Sequence, residues 1–203
     1  MSTKNIVVIG CGGMGLAAAS QGPIEAVIHT AGLSPSAGSA QKILEVDLLG
    51  TANAIDAFLE YARSHGIRLA SGVRASSCDS ARDQLLEHPA LKIDSADPHG
   101  PPRAHGLSKR GNILRVQASA KAWGRVGGRV NTVRPGVIST RTVRKEINGP
   151  AGKFIAMSPV GRVGTPQDVV TAVAFLASPE SSFITGNDIL VDGGVVSSLM
   201  WDN

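Results

Sequence analysis

The sequence predicts a single α/β domain, residues 1–203, built on a parallel β-sheet flanked by helices. Three observations predict it. Short apolar runs alternate with longer helical stretches, the order of a parallel sheet joined by crossover helices. The apolar fraction of 42% includes only 3% aromatics, so the core is Val, Ile, Leu and Ala, which suits buried parallel strands under Ala-rich helices. A glycine-rich turn follows the first apolar run directly.

In chain order, residues 5–10 (NIVVIG) read as a buried strand and 13–20 as an Ala-rich helix. Gln21-Gly22-Pro23 breaks the chain before a second strand, 24–29 (IEAVIH). After a Ser/Pro/Gly loop, a long helix runs from about 40 to 64, with Ala52, Ile55, Leu59 and Ala62 at helical spacing. Residues 67–71 form a short strand, and 72–102 read as irregular with a helical turn around 81–87. Asp97-Pro98-His99-Gly100-Pro101-Pro102 predicts no regular structure just before the next helix, 103–123. That helix carries Leu107, Gly111, Leu114, Ala118 and Ala122 on one stripe. A strand over 128–133, a turn at Pro135-Gly136 and a mixed loop over 137–160 follow. Pro166 opens a helix to about 177, and 188–192 (DILVD) is the last strand, ended by Gly193-Gly194.

Composition narrows the function classes. The net charge of +4 is modest and the basic residues are scattered. Arg141, Arg144 and Lys145 read as a solvated loop, so no nucleic-acid partner is expected. Cys11 and Cys78 form neither a disulfide framework nor a metal pattern, and a reduced, cytoplasmic protein is expected. VIGC (8–11) imitates a lipoprotein cleavage site, but the apolar run before Cys11 covers only 5–9 and glycines follow it, so export is the lesser reading. No segment is long enough to span a membrane.

Gly10, Gly12 and Gly15 form G-x-G-x-x-G between a strand and a helix. Such glycines permit a tight turn and let the backbone approach a pyrophosphate, whose charge meets the helix N-terminus. This points to a Rossmann-like dinucleotide site. The acidic residue expected about 20 positions on is absent, since Glu25 opens the second strand instead of ending it.

Seven further segments, in order, resemble the short-chain dehydrogenase/reductases. HTAG (29–32) is similar to the N-N-A-G stretch after the family's fourth strand, and EVDLLGT (45–51) to its V-N-x-x-G-T. Ser71 ends a strand where the family has its substrate-binding serine, and AHGLSK (104–109) resembles the Y-x-A-S-K helix. VNTVRPGVIST (130–140) is similar to the nicotinamide-holding segment. SPVGRVGTPQDV (158–169) and FITGNDILVDGG (183–194) resemble the C-terminal signature. The resemblance implies NAD or NADP as cofactor. Gly10, Gly12, Gly15, Thr30, Ala31, Gly32, Lys109, Pro135, Gly136, Ile138 and Thr140 would contact it, and no metal is implied. It also implies Ser71, His105, Lys109 and Asp47 as the catalytic set.

Three departures bear on activity. His105 stands where the family carries its catalytic tyrosine, and Tyr61 does not rescue the motif because His65 follows it four residues on. Imidazole titrates near 6.5 and can act as acid or base without help from Lys109, but it reaches less far than a phenol. Asp47 replaces an asparagine that serves a proton-relay water, and an aspartate can still hold that water. The chain also passes from the first helix straight to what resembles the fourth strand. By analogy roughly 50–60 residues, two strands and two helices of the adenosine half, are missing. The sheet order would shrink from 3-2-1-4-5-6-7 to 1-4-5-6-7 in family labels. A right-handed crossover would then move the first helix to the other face.

The expected function is NAD(P)-dependent oxidoreduction of a small alcohol or carbonyl compound, with cofactor binding weakened and activity impaired. A non-catalytic binding or oligomer subunit, or a degenerate gene product, is the alternative. The small-residue stripes of 40–64 and 103–123 resemble the helix pair that dimerises the family, so a homodimer or homotetramer is expected; an intrachain contact would explain them equally well.

Overall fold

A computed structural model describes residues 6–9, 26–64, 84–140 and 150–201. The chain forms two compact units, Met1–Val130 and Asn131–Asn203. Each is described by itself.

In the first unit, β1 (Ile6–Ile9) pairs parallel with β2 (Ala26–His29), from Ile6 opposite Ala26 to Ile9 opposite His29. This is the neighbour relation that the shortened order requires: strand 1 lies against the strand resembling the family's fourth. The helix expected over 13–20, its crossover hand and the strand expected over 67–71 lie outside the described residues.

The long helix expected over 40–64 is present but not uniform. Ser39 caps α1 (Ala40–Ile43) by accepting from Lys42 N–H. A π-helical segment, Leu44–Leu49, follows and hands over to α2 (Gly50–Ser64). Ala52, Leu59 and Ala62 of the expected stripe are buried. The turn expected at 81–87 is two 3₁₀ turns, Leu85–Glu87 and Pro89–Leu91.

α3 covers Gly100–Arg125, so the helix starts ahead of the expected 103. Pro101 and Pro102 lie in its first turn, where a missing N–H breaks no helical bond. The expected stripe also needs correction. Ala104, Ser108, Ile113 and Val116 face the core, whereas Leu114 is 49% exposed. One core cluster joins Ala40, Ile43, Leu44, Leu48 and Ala104; another joins Leu59, Ala62 and Val126.

The strand expected over 128–133 begins later because the helix end takes its first residues. Gly127 N–H donates to Gly124 O and Gly128 N–H to Trp123 O, a Schellman cap with Gly127 at φ +71°.

In the second unit, β3 (Thr132–Pro135) pairs parallel with β4 (Asp188–Val191). Pro135 is thus the last strand residue and not part of a turn. Thr132 and Gly136 donate to Asn187 O and Val191 O, so alternation turns position 135 away from β4 and its missing N–H breaks no ladder bond. The loop expected over 137–160 contains α4 (Pro150–Ala156).

α5 (Pro166–Ala177) keeps the expected bounds. Thr165 and Asp168 form its capping box, and Arg162 donates to both Asp168 oxygens at 2.8 Å. Hydrogen bonds from Arg162 and Thr165 hold the Asp168 carboxyl far below the usual carboxylate range. Beyond Gly193-Gly194 the chain turns into α6 (Val195–Trp201), with Asp192 accepting from Gly194 N–H and Val196 N–H at 2.9 Å.

Two glycines make a quantitative contrast. A Cβ on Gly136 would lie 2.6 Å from Asp192 Cα, a backbone atom, while one on Gly124 would have nothing within 4 Å. In urea denaturation, Gly136→Ala is expected to cost about 1–3 kcal/mol of stability. Gly124→Ala is expected to add up to about 1 kcal/mol.

Candidate active site

The π segment brings Asp47 to the centre of the first unit. Its side chain is completely buried, and a carboxylate there needs donors and a counter-charge. Leu33 N–H donates to Oδ1 at 2.6 Å and Lys109 Nζ to Oδ2 at 3.0 Å. Lys109 reaches in from α3, and its side chain stays 47% exposed. The chain leaving β2 passes against this pair. A Cβ on Gly32 would lie 3.2 Å from Lys109 Nζ and 3.3 Å from Asp47 Oδ2, so a side chain there would crowd the ion pair.

Behind the pair, polar side chains gather on the Asp47 carbonyl. Thr51 Oγ1 donates to it at 2.7 Å and Asn112 Nδ2 at 2.8 Å. Thr51 Oγ1 also accepts from Asn112 Nδ2 at 3.3 Å and lies 3.1 Å from His29 Nε2. The hydroxyl has one proton and has given it to the carbonyl, so His29 must be the donor. Nε2 therefore carries the imidazole proton. Nδ1 is an acceptor, buried and without a partner among the described residues.

His105 sits one helical turn before Lys109 on the same helix. Burial first, and then the Lys109 charge, lower its pKa below the ordinary 6.5, with Asp47 opposing. The same causes in the same order lower His29. Both imidazoles are therefore neutral near pH 7.

Of the residues expected at the site, Asp47 and Lys109 are in direct contact, Gly32 lies where a Cβ would meet both, and His105 is on the helix of Lys109. Thr30 and Ala31 precede Gly32 on the same strand-end segment. Asp47 meets the lysine directly. Ser71, Gly10, Gly12 and Gly15 lie outside the described residues.

Pro135, Gly136, Ile138 and Thr140 belong to the second unit. Ile138 is buried there and bridges Gly164, and Gly136 packs on Asp192. His29, Thr51 and Asn112 were not anticipated as a group. The available signal was Asn112, a polar residue three positions after Lys109 and so on its helix face.

A groove of about 550 Å³, lined by Leu48, Leu85, Leu91, Leu107, Gly111 and Arg115 among others, does not include the ion pair. Among the described residues no cluster of His, Cys, Asp or Glu could hold a metal, and no helix is long and apolar enough to cross a membrane.

The lowered imidazole pKa values make stability pH-dependent with a definite sign. Between the folded value and 6.5 the unfolded chain binds more protons. The contribution is present in full above 6.5 and is lost as pH falls through that window. The Tm is expected to drop from about pH 7.5 to about pH 5.5, and His29→Asn to flatten the drop. A wild-type Tm that is flat over this range would contradict the neutral assignment.

Comparison with known proteins places the chain. The family profile described as enoyl-(acyl carrier protein) reductase matches residues 93–196. A short-chain dehydrogenase/reductase of Alternaria brassicicola is 33% identical over 91% of this chain and 73% of its own length. The 3-alpha-hydroxysteroid dehydrogenase/carbonyl reductase of Comamonas testosteroni is 31% identical over 89% of this chain and 75% of its own. The solved short-chain type dehydrogenase/reductase of Mycobacterium ulcerans shares the fold, with a TM-score of 0.62 at 21% identity over 89% of this chain and 66% of that one. With about three quarters of its curated relatives' length matched and the fold in common, the chain belongs to the short-chain dehydrogenase/reductase family.

Proposed function

We propose that this chain is an NAD(P)-dependent oxidoreductase for a small alcohol or carbonyl compound, of reduced activity and cytoplasmic, its 203 residues acting as one domain. The observation that carries the reading is Lys109, held 3.0 Å from a buried carboxylate on the helix that also presents His105.

The residues present fit a nicotinamide nucleotide at this point. Lys109 gives one of its three N–H groups to Asp47 and is half exposed, which leaves two donors for a ribose diol. Bound there, the nicotinamide would supply the hydride acceptor or donor. Gly10, Gly12 and Gly15 would face the pyrophosphate and Thr30-Ala31-Gly32 would line the site. Ile138 and Thr140 would hold the carboxamide, Pro135 and Gly136 would belong to the same cofactor-binding segment, and Ser71 would bind the substrate oxygen.

His105 is the acid–base group of this reading. Neutral near pH 7, it can take the hydroxyl proton of an alcohol onto a ring nitrogen as the carbinol hydride leaves. Oxidation rates are then expected to rise with pH along a curve whose midpoint lies below the ordinary imidazole value. Imidazole is shorter than a phenol, and His105→Tyr is expected to raise turnover about 100-fold.

A second reading, a non-catalytic family member, is favoured by that same Lys109, because one of its three N–H donors is already committed to Asp47. Calorimetric titration separates the two. Saturable NAD or NADP binding with a Kd weaker than micromolar supports the proposal, and a micromolar Kd would remove the claim of impairment. No binding at millimolar nucleotide, with no turnover in His105→Tyr, would leave the non-catalytic reading.

The homodimer or homotetramer of this reading would cover Leu114, which is half-exposed on α3. Leu114→Glu is expected to shift light-scattering mass to the monomer.

A further inference from the structure

Asn112 has no catalytic reading, and it carries a cost. Its Oδ1 is buried without a hydrogen-bond partner among the described residues, a deficit that a leucine at this position would avoid. What it gains is two donated bonds, to Asp47 O and Thr51 Oγ1.

The carbonyl that receives the Asn112 amide belongs to the π segment. Gly50 N–H reaches back five residues to Glu45 O, whereas Ile43 N–H, about two turns earlier, reaches back four to Ser39 O. The helix ladder therefore slips by one residue across 44–50, an arrangement that persists only where its surroundings hold it. Thr51 bonds back from the same helix, and His29 reaches Thr51 from β2. Asn112 alone bonds the slipped carbonyl from α3, the helix that also supplies Lys109. Gly111 beside it lets α3 close in, since a Cβ there would lie 2.7 Å from Leu48 Cδ1 of the π segment.

We propose that Asn112 is a positioning residue: its amide clamps the Asp47 carbonyl at the slipped turn and so holds the Asp47 carboxylate between Leu33 N–H and Lys109. One helix then grips residue 47 at both ends, the carbonyl through Asn112 and the carboxylate through Lys109. Without the clamp the turn relaxes toward α register. A slip of one residue rotates a side chain by about 100° around the helix axis, which takes the carboxylate off both donors. The clamp deepens the proposed function by fixing the lysine that would meet the cofactor, and it rests on that reading only for this consequence.

The test needs no nucleotide. In the full-length chain, hydrogen exchange and the proton shift of the Leu33 amide, followed by NMR, report its bond to Asp47. Asn112→Leu is expected to lower the Tm, because a buried carboxylate taken off its donors outweighs the relief of the orphaned Oδ1. Leu33 amide exchange is expected to accelerate about tenfold or more, with an upfield shift, the loss of one charge-assisted hydrogen bond. The Val116 amide, on the core face of α3, is expected to stay protected.

Unchanged Leu33 protection in folded Asn112→Leu would overturn the proposal. Should that variant not fold, Asn112→Ser is read by the same ratio of Leu33 to Val116 exchange, and an unchanged ratio overturns it equally. A chain that binds no nucleotide yet shows the Leu33 response would end the enzymatic reading and leave the clamp standing.

Discussion

A completely buried carboxylate organises the first unit. Asp47 is buried away from bulk solvent, so its charge is met by donors of the protein. The Leu33 amide supplies one donor and the Lys109 ammonium the other, and those two donors come from segments far apart in sequence. The strand end after β2, the π turn and α3 are therefore required to meet at one place. Had any of the three been displaced, a buried charge would be left uncompensated, at greater cost than an exposed pair could ever return.

This pair also sets the electrostatics around it. His29 and His105 both feel burial first and the lysine second, and both are driven neutral. A neutral imidazole can accept a proton, whereas the same group charged beside Lys109 would meet repulsion. The family's tyrosine–lysine arrangement and the histidine–lysine arrangement here thus differ in kind. A lysine makes a phenol more acidic, and by the same electrostatics it makes an imidazole a weaker base that stays neutral near pH 7.

The second unit is arranged by backbone chemistry instead. The Thr165–Asp168 capping box, reinforced by Arg162, fixes the start of α5, and Asp192 receives two amides as the chain turns into α6. Ser158 donates to Gly193 O, which ties the two halves of the C-terminal signature together. The dense motifs of this region therefore have local structural causes of their own, independent of any cofactor contact.

Much of this was legible in the sequence. The parallel strand pairing, the α/β class and the bounds of α5 follow from apolar runs, alternation and cap residues, which act over a few neighbouring positions. The i,i+4 relation of His105 and Lys109 is likewise a property of one helix.

The tertiary structure alone decided the rest. Asp47 faces Lys109 directly because a π turn slips the helix by one residue, and no propensity in LEVDLL signals that slip. Asn112 and Thr51 converge on one carbonyl, with His29 on the Thr51 hydroxyl, and Asp47 and Asn112 are separated by 65 positions of sequence, beyond the reach of periodicity or caps. The proton on His29 Nε2 is settled only by what Thr51 has left to give. Short-range rules specify elements; where a buried charge finds its partners is settled by how those elements pack.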